Sequence, residues 1–259
     1  MKLMTRILFP LLLSIGLSVA LTFGMTLVLP GGVAISKAAP WAEFFTVFGV
    51  IYAIISGFIL LDVLNRHTDL ASTVESELNA VEDLRDFLVY IDGEQDDAKF
   101  EIKQSLLEYL RSVCDREWKL MRAKGSINAD TSPELYKVMS AINRIQVTNP
   151  SDQVALASLI EKLSDITSLR TRRIILSNER LPSQLIGLLL FMSSVLVVGF
   201  ACMVSTHFGL HAAMVGAITT AVHLLFMIIR DLDQPFQGAW NIRKDSLTAI
   251  RDEFERDLA

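Results

Sequence analysis

The sequence predicts an all-α membrane protein with four transmembrane helices and a cytoplasmic bundle of long helices inserted between spans 2 and 3. Three observations predict this class: long uncharged apolar runs, a charged middle segment with the helical period, and an uneven distribution of Lys and Arg between the loops. Of the 259 residues, 51% are hydrophobic, which is more than a soluble domain usually contains. The net charge of −5 argues against a nucleic acid partner, because phosphate binding requires a basic surface.

Three segments contain no Asp, Glu, Lys or Arg, namely residues 7–36, 44–61 and 181–229. A helix needs about 20 apolar residues to cross a bilayer, so the first two segments give one span each and the third gives a hairpin of two. The predicted spans are 7–29, 42–63, 183–205 and 209–229. The first run is longer than the roughly 7–15 residues of a signal-peptide core, so we interpret it as a retained span rather than a cleaved signal.

The basic residues predict the topology. The loop 30–41 contains only Lys37 and the turn 205–209 contains no Lys or Arg, whereas segment 64–181 and both termini contain many. Cytoplasmic loops are enriched in Lys and Arg. We therefore expect a multi-pass protein of the inner membrane with both termini and residues 64–181 in the cytoplasm.

The predicted domain organisation follows from these boundaries. It comprises 1–63 with spans 1 and 2, the cytoplasmic helical domain 64–181, 182–230 with spans 3 and 4, and 231–259 with a corner and an amphipathic tail helix. No Pro or Gly occurs between Gly57 and Gly93, so span 2 should continue unbroken into the cytoplasm. Further helices are predicted near 100–121, after the Ser132–Pro133 N-cap, near 152–180 and at 244–258.

Enzyme signatures are absent from the sequence, which contains no phosphate-binding glycine loop, no nucleophile elbow and no metalloprotease helix motif. His207 and His211 stand four residues apart, but two ligands without a third do not make a metal site. The prediction is a protein that is not an enzyme and has no cofactor or metal.

Span 2 carries the residues that we predict to line a pore or to pack helices. They are Phe45, Phe48, Gly49, Tyr52, Ala53, Ser56, Ile59 and Asp62. Small residues let helices approach closely in lipid, and the same faces could instead line a water-filled path. In span 4, Thr220 and His223 are intramembrane polar residues, and an ionisable side chain within a span usually faces the protein interior or a cavity.

Acidic residues follow span 2, namely Asp62, Asp69, Glu75 and Glu77. They form either a solvated helix face or, if several copies surround an axis, acidic rings that attract cations.

A specific corner follows span 4, in the stretch "RDLDQPFQGAW" at residues 230–240. Pro235 lacks an N–H and restricts the residue before it, and Gly238 permits a positive φ, so the helix must stop here. A plain stop would not need Asp233 or Phe236. We expect Phe236 to be an apolar anchor, and Asp233 to accept hydrogen bonds from turn amides or to pair with Arg170 or Arg173.

Several motifs resemble those of the bestrophin-like family of bacterial membrane proteins. They are Tyr52, Gly57 and Phe58 in span 2, the Glu117–Trp118 pair, Arg170 and Arg173 before Leu181–Pro182, and the corner Leu232, Asp233, Pro235, Phe236 and Gly238. The resemblance covers the chain from about Trp41 to its end. It implies a likeness to bestrophins, pentameric ion channels with four spans and a cytoplasmic helical vestibule, whose second helix lines the pore with a hydrophobic neck.

This chain departs from bestrophins at two places. The segment "GAWNIRKD" follows the corner where bestrophins carry an acidic calcium clasp, and the aromatic-rich neck motif is not cleanly present, although Phe44, Phe45 and Phe48 lie near its position. The sequence supports two hypotheses: an oligomeric ion channel whose pore lies on the oligomer axis, with the lipid bilayer, ions and further copies as partners, or a non-conducting scaffold or sensor whose cytoplasmic helices bind a partner.

Overall fold

The computed structural model describes residues 39–92, 95–123, 132–202, 208–237 and 240–258, together with residues 16, 19, 20, 23 and 24. Within these ranges the chain forms helices and the turns that connect them, and no strand occurs among them. The all-α class is therefore confirmed for this part of the chain. The span predicted at 7–29 lies outside the described residues except for the five isolated positions.

The helices are numbered in chain order. They are α1 (Ala39–Phe87), α2 (Asp96–Ser112), α3 (Trp118–Arg122), α4 (Pro133–Ile142), α5 (Pro150–Asn178), α6 (Ser183–Cys202), α7 (Phe208–Leu232) and α8 (Asp245–Asp257). A 3₁₀ turn, Leu88–Tyr90, follows α1, and a π-helical turn, Val113–Glu117, joins α2 to α3. The prediction that span 2 continues unbroken is confirmed, since α1 has 49 residues.

Three of the described helical segments are long and apolar enough to cross a membrane: Pro40–Tyr90, Pro150–Cys202 and Phe208–Leu232. They contain the predicted spans 2, 3 and 4, except for residues 203–205, which lie outside the described ranges.

The chain divides into two compact units. The apolar unit comprises residues 1–65 and 180–234, and the charged unit comprises residues 66–179 and 235–259. The boundary lies within α1, so this helix contributes residues to both units.

The apolar unit has its own core, built from α1, α6 and α7. Its buried residues are Phe45, Tyr52, Ile59, Val63, Leu181, Leu189, Met192, Leu196, Ile229 and Leu232. At Gly199 of α6, the absence of a side chain leaves room for the ring of Phe45 of α1. Phe45 also contacts Phe44 and Phe200, with ring centroids 5.2 and 5.7 Å away. A ring held on several sides cannot move aside easily.

Gly199→Ala should destabilise this packing, whereas Gly187→Ala on the same helix should not. A Cβ atom at Gly199 would lie 2.0 Å from Cζ of Phe45, but one at Gly187 would meet no atom within 4 Å. Overpacking costs about 1–3 kcal/mol, while Ala for Gly at an open helical site stabilises by up to about 1 kcal/mol. Thermal unfolding in detergent should therefore shift in opposite directions for the two variants. Equal shifts in the unfolding temperature of the two variants would show that the Phe45 ring can move to make room for a methyl group at position 199.

The charged unit contains the larger core, to which α1, α2, α4, α5 and α8 contribute. Leu84, Leu106, Val138 and Leu159 have no exposed surface, and Phe254 of the tail helix is almost fully buried. The tail helix α8 packs against α2, and Arg85 of α1 lies over the Phe254 ring at 5.0 Å and binds Glu253 at 2.8 Å. The amphipathic tail is thus part of the folded unit.

Hydrogen bonds at its N-terminus fix where α5 begins. Asn149 is the N-cap, and its side chain accepts a hydrogen bond from the N–H of Asp152, with Pro150 in the first helical turn. The Asp152 carboxylate in turn accepts hydrogen bonds from the backbone N–H groups of Asp92 and Thr148, each at 2.9 Å. The bond to Asn149 satisfies an N–H group that helix geometry leaves unpaired, and the bonds to the Asp152 carboxylate fasten the start of α5 to the turn before α2.

Candidate functional site

The apolar part of α1 presents one face to its own unit. Four of the residues predicted to line a pore or to pack helices are buried on this face: Phe45, Tyr52, Ser56 and Ile59. The Tyr52 hydroxyl lies 3.3 Å from the Ser193 Oγ of α6, which donates to it. These four residues are thus buried within one copy of the chain.

The remaining predicted positions are less enclosed. Phe48 and Gly49 are half-buried, and Ala53 and Asp62 are exposed. In α7, Thr220 and His223 are both half-buried.

A second face of α1 is exposed in the chain, and only Phe58 on it was singled out from the sequence, as a motif residue. Val50, Ile54 and Phe58 have exposed fractions of 55%, 54% and 69% and follow one another at intervals of four residues. Residues four apart stack along a helix, so the three side chains form one apolar ridge. Their periodicity resembles that of the buried face, and only the packing distinguishes the two.

The acidic residues after span 2 separate into two groups. Asp62, Asp69 and Glu75 are exposed, as a solvated face or a ring would require, but Glu77 is only 4% exposed. The interpretation of Glu77 as a surface acid is therefore wrong. The helix turns Glu77 by about 200° relative to Glu75, to nearly the opposite face, since successive residues differ by about 100°.

Glu77 belongs to a buried ion-pair network that joins α1, the π-helical turn and α5. Arg173 donates to Glu77 through Nε at 2.6 Å and Nη2 at 3.1 Å, and through Nη2 to Glu117 at 2.7 Å. Arg170 donates to Glu117 through Nε at 3.0 Å and Nη2 at 2.7 Å. Two arginines thus face two glutamates, and the formal charges balance.

Tyr109 of α2 completes the network, because its hydroxyl donates a hydrogen bond to Glu77. Burial, together with the neighbouring Glu77 charge, raises the pKa of Tyr109 well above its ordinary value, so it remains a neutral donor. Burial alone would raise the pKa of Glu117, but Arg173 and Arg170 outweigh burial and hold this pKa below its ordinary value. Glu117 is therefore an ionised partner of the arginines at neutral pH.

The π-helical turn contributes Glu117 to this network. A π turn inserts one extra residue into a helix, and such turns often occur at functional sites. Here it ends at Glu117, whose carboxylate reaches both arginines, and it is followed by Trp118, which is buried against the corner. The edge of the Phe236 ring meets Trp118, with centroids 5.1 Å apart and an interplanar angle of 85°.

The corner after α7 is held by backbone hydrogen bonds. The Asp233 carboxylate accepts a hydrogen bond from the N–H of Leu181 at 2.7 Å. Leu181 lies just before α6, so this amide does not belong to the turn that contains Asp233. Pro235 is buried, and its carbonyl accepts from the N–H of Ile242 at 2.7 Å. Phe236 is 4% exposed in the core of the charged unit. Gly238 lies outside the described residues.

The expected pairing of Asp233 with Arg170 or Arg173 does not form, because each of these side chains binds another group. Both arginines bind glutamates, and Asp233 binds a backbone amide. Nothing in the local sequence indicates that Glu77 and Arg173, which lie 96 positions apart, would meet. The one available signal was that Arg170 and Arg173 fall on the same helical face.

Metal ligation has no support from the described residues, which contain no group of three or more His, Cys, Asp or Glu that could hold an ion. Of the histidine pair noted in the sequence, His211 is buried in α7, and His207 lies outside the described ranges.

Comparisons with known proteins agree on the fold. The family profile described as "Bestrophin-like domain" matches residues 10–247. No curated protein matches the sequence. Crystal structures of bacterial bestrophin homologue variants from Klebsiella pneumoniae are similar in fold. One with a tyrosine-to-alanine substitution has a TM-score of 0.74 and 16% identity, covering 96% of this chain and 97% of that one.

Two further structures give the same result. A second Klebsiella pneumoniae variant, with an isoleucine-to-threonine substitution, has a TM-score of 0.73 and 17% identity over 98% of this chain and 99% of the other. A structure described as a membrane protein with a proline-to-alanine substitution has a TM-score of 0.73 and 15% identity, covering 96% of this chain and 97% of that one. The shared fold therefore extends over nearly the whole chain.

Proposed function

The chain belongs to the bestrophin-like family, and on this premise we propose that it is an oligomeric ion channel of the inner membrane whose pore lies on the oligomer axis and is lined by α1. By analogy with bestrophins the oligomer is a pentamer. The charged unit and both termini lie in the cytoplasm, as the distribution of basic residues indicates.

The observation that supports this proposal best is the exposed ridge of Val50, Ile54 and Phe58. Phe45, Tyr52 and Ile59 occupy the packed face of the same helix, so the ridge points away from the copy's own core. Around an axis, each ridge residue would form an apolar ring, and the rings would be about 6 Å apart. Narrow apolar rings close a pore by excluding water.

Acidic residues follow the ridge in the direction of the charged unit. Asp62, Asp69 and Glu75 are exposed on α1. Rings of carboxylates concentrate cations, so we propose that the pore favours cations over anions. Glu77 takes no part in this, because it is buried against Arg173.

Phe58→Ala should increase ion flux through the purified protein in liposomes. Removing a ring of phenyl groups widens and wets the constriction, and a barrier lower by about 1.4 kcal/mol raises flux about tenfold. Phe191→Ala is the matched control, because Phe191 of α6 has a similar exposed fraction, 64% compared with 69% for Phe58. Equal ion flux through the two variants would show that Phe58 does not line the pore.

Labelling with a membrane-impermeant thiol reagent tests the topology. A cysteine at Gly31, in the loop predicted outside, should react in intact cells, and a cysteine at Gly125 should not. Both positions are chosen from the sequence and lie outside the described residues. Of the two native cysteines, Cys114 is buried, and the half-buried Cys202 is replaced by serine in both variants so that it adds no background label. The reverse pattern would overturn the orientation.

The mass of the detergent-solubilised particle tests assembly directly. A monomer would overturn the channel, because the ridges of several copies are required to enclose a pore. An oligomer that passes no ions in liposomes would instead favour the scaffold or sensor hypothesis.

A further inference from the structure

A small surface around Trp240 combines an exposed aromatic ring with exposed basic groups. Trp240 has an exposed fraction of 58%, the Arg243 side chain one of 79%, and Lys244 is also exposed. The ion pair of Arg243 with Asp245, at 2.9 Å, is itself solvent-exposed, and such surface pairs are weak. We call Trp240, Arg243 and Lys244 the Trp240 surface.

Two hydrogen bonds hold the backbone beneath this surface. His67 of α1 donates from Nε2 to the carbonyl of Trp240 at 2.6 Å, since a carbonyl can only accept. The N–H of Ile242 donates to the carbonyl of Pro235 at 2.7 Å. The segment therefore has a defined position on α1.

With α1 placed across a bilayer as proposed, this position falls at the depth of lipid headgroups. The predicted span on α1 ends at Val63, and His67 lies about 6 Å further along the helix. A hydrocarbon core of about 30 Å in a bilayer of about 40–45 Å leaves a headgroup layer of about 5–8 Å on each side. Trp is enriched at this depth because its ring is amphipathic.

Further basic residues border the surface. The side chain of Gln237 donates to the carbonyl of Arg122, which places the end of α3 beside the corner, and Lys119 and Arg122 are exposed there. Lys244 occupies the N-cap of α8, where the helix dipole disfavours a cation. Helix stability therefore does not explain a lysine at this position.

We propose that the Trp240 surface binds the headgroups of anionic phospholipids on the side of the membrane that bears the charged unit. Arg243 and Lys244 would contact the phosphate, and Trp240 would lie between headgroup and acyl chain. The inference rests on the proposed placement of α1 across a bilayer and does not require that the protein conduct ions.

Lipid retention by the full-length detergent-solubilised protein tests this inference. Native mass spectrometry should show preferential binding of phosphatidylglycerol over phosphatidylcholine. Each basic residue near an anionic surface contributes about 1 kcal/mol, so Arg243→Gln with Lys244→Gln should weaken phosphatidylglycerol binding by roughly tenfold or more. Trp240→Ala should weaken the binding of both lipids.

The matched control removes two other exposed basic residues, Arg144 and Lys137, which bind Glu101 and Glu108, each at 2.6 Å. Glu101 lies about 30 Å and Glu108 about 20 Å along the helical stretch from Arg122. Arg144→Gln with Lys137→Gln should keep the lipid preference. An equal loss in both double variants, no preference in the parent protein, or full competition by inorganic phosphate would overturn the inference.

Ion flux in liposomes of phosphatidylcholine alone distinguishes the two proposals. Ion flux without any preference for phosphatidylglycerol would contradict the lipid-binding proposal and remain consistent with the channel proposal. A preference for phosphatidylglycerol without ion flux would contradict the channel proposal and support the lipid-binding proposal.

Discussion

Arg173→Met should destabilise the charged unit by about 3–5 kcal/mol, the cost of leaving a buried charge without its partner. Arg173 is 1% exposed and is the only arginine that bridges Glu77 and Glu117 within the described network. Its loss leaves two carboxylates facing one guanidinium, that of Arg170. Methionine is similar in volume, so the loss is mainly of charge and hydrogen bonds.

Arg172→Met is the matched control, because the neighbouring Arg172 is exposed. It should shift thermal unfolding in detergent only slightly, since surface substitutions usually change stability by less than about 0.5 kcal/mol. Adding Glu77→Gln to Arg173→Met should recover part of the loss, because it restores a one-to-one balance between Glu117 and Arg170. If Arg173→Met and Arg172→Met unfold at the same temperature, the network does not stabilise the fold.

Phe236→Ala should cost about 3–5 kcal/mol, the range for truncating a buried phenylalanine. The ring is 4% exposed, packs edge-on against Trp118 and belongs to the same core as Leu247 and Phe254. The resulting cavity would adjoin the turn that positions Glu117. We therefore expect a loss of stability and, in an assembled protein, altered flux.

Phe100→Ala provides the comparison, because Phe100 of α2 is 53% exposed and its removal leaves no cavity. Thermal unfolding and the mass of the particle should be measured for both variants. If Phe236→Ala retains the stability and assembly of the parent protein, the corner acts only as a helix stop. The additional role proposed for Phe236 would then have no support.

The contact between Phe236 and Trp118 brings together motifs that carry the family resemblance. Trp118 receives the corner ring, and the adjacent Glu117 binds Arg170 and Arg173. Motifs that lie far apart in the sequence thus form one continuous buried cluster. Family membership confirms the resemblance on which these motifs were recognised.

The sequence by itself determined the helices. Uncharged runs, the helical period and the positions of Pro and Gly predicted α1 as one continuous helix, the start of α4 at Pro133 and the end of α7 before Pro235. These features are local: each depends on residues within a few turns of one another. The π-helical turn is an exception, since one inserted residue leaves little trace in the apolar pattern.

Tertiary structure alone decided which faces of these helices meet. On α1, Val50, Ile54 and Phe58 are as apolar as Phe45, Tyr52 and Ile59, and only the second set packs against α6 and α7, with Phe45 fitting at Gly199. Glu77 resembles the exposed acids before it until α5 brings Arg173 within 2.6 Å. A helix repeats every 3.6 residues, so the pattern offers several equivalent faces, and the choice between them depends on partners distant in the sequence.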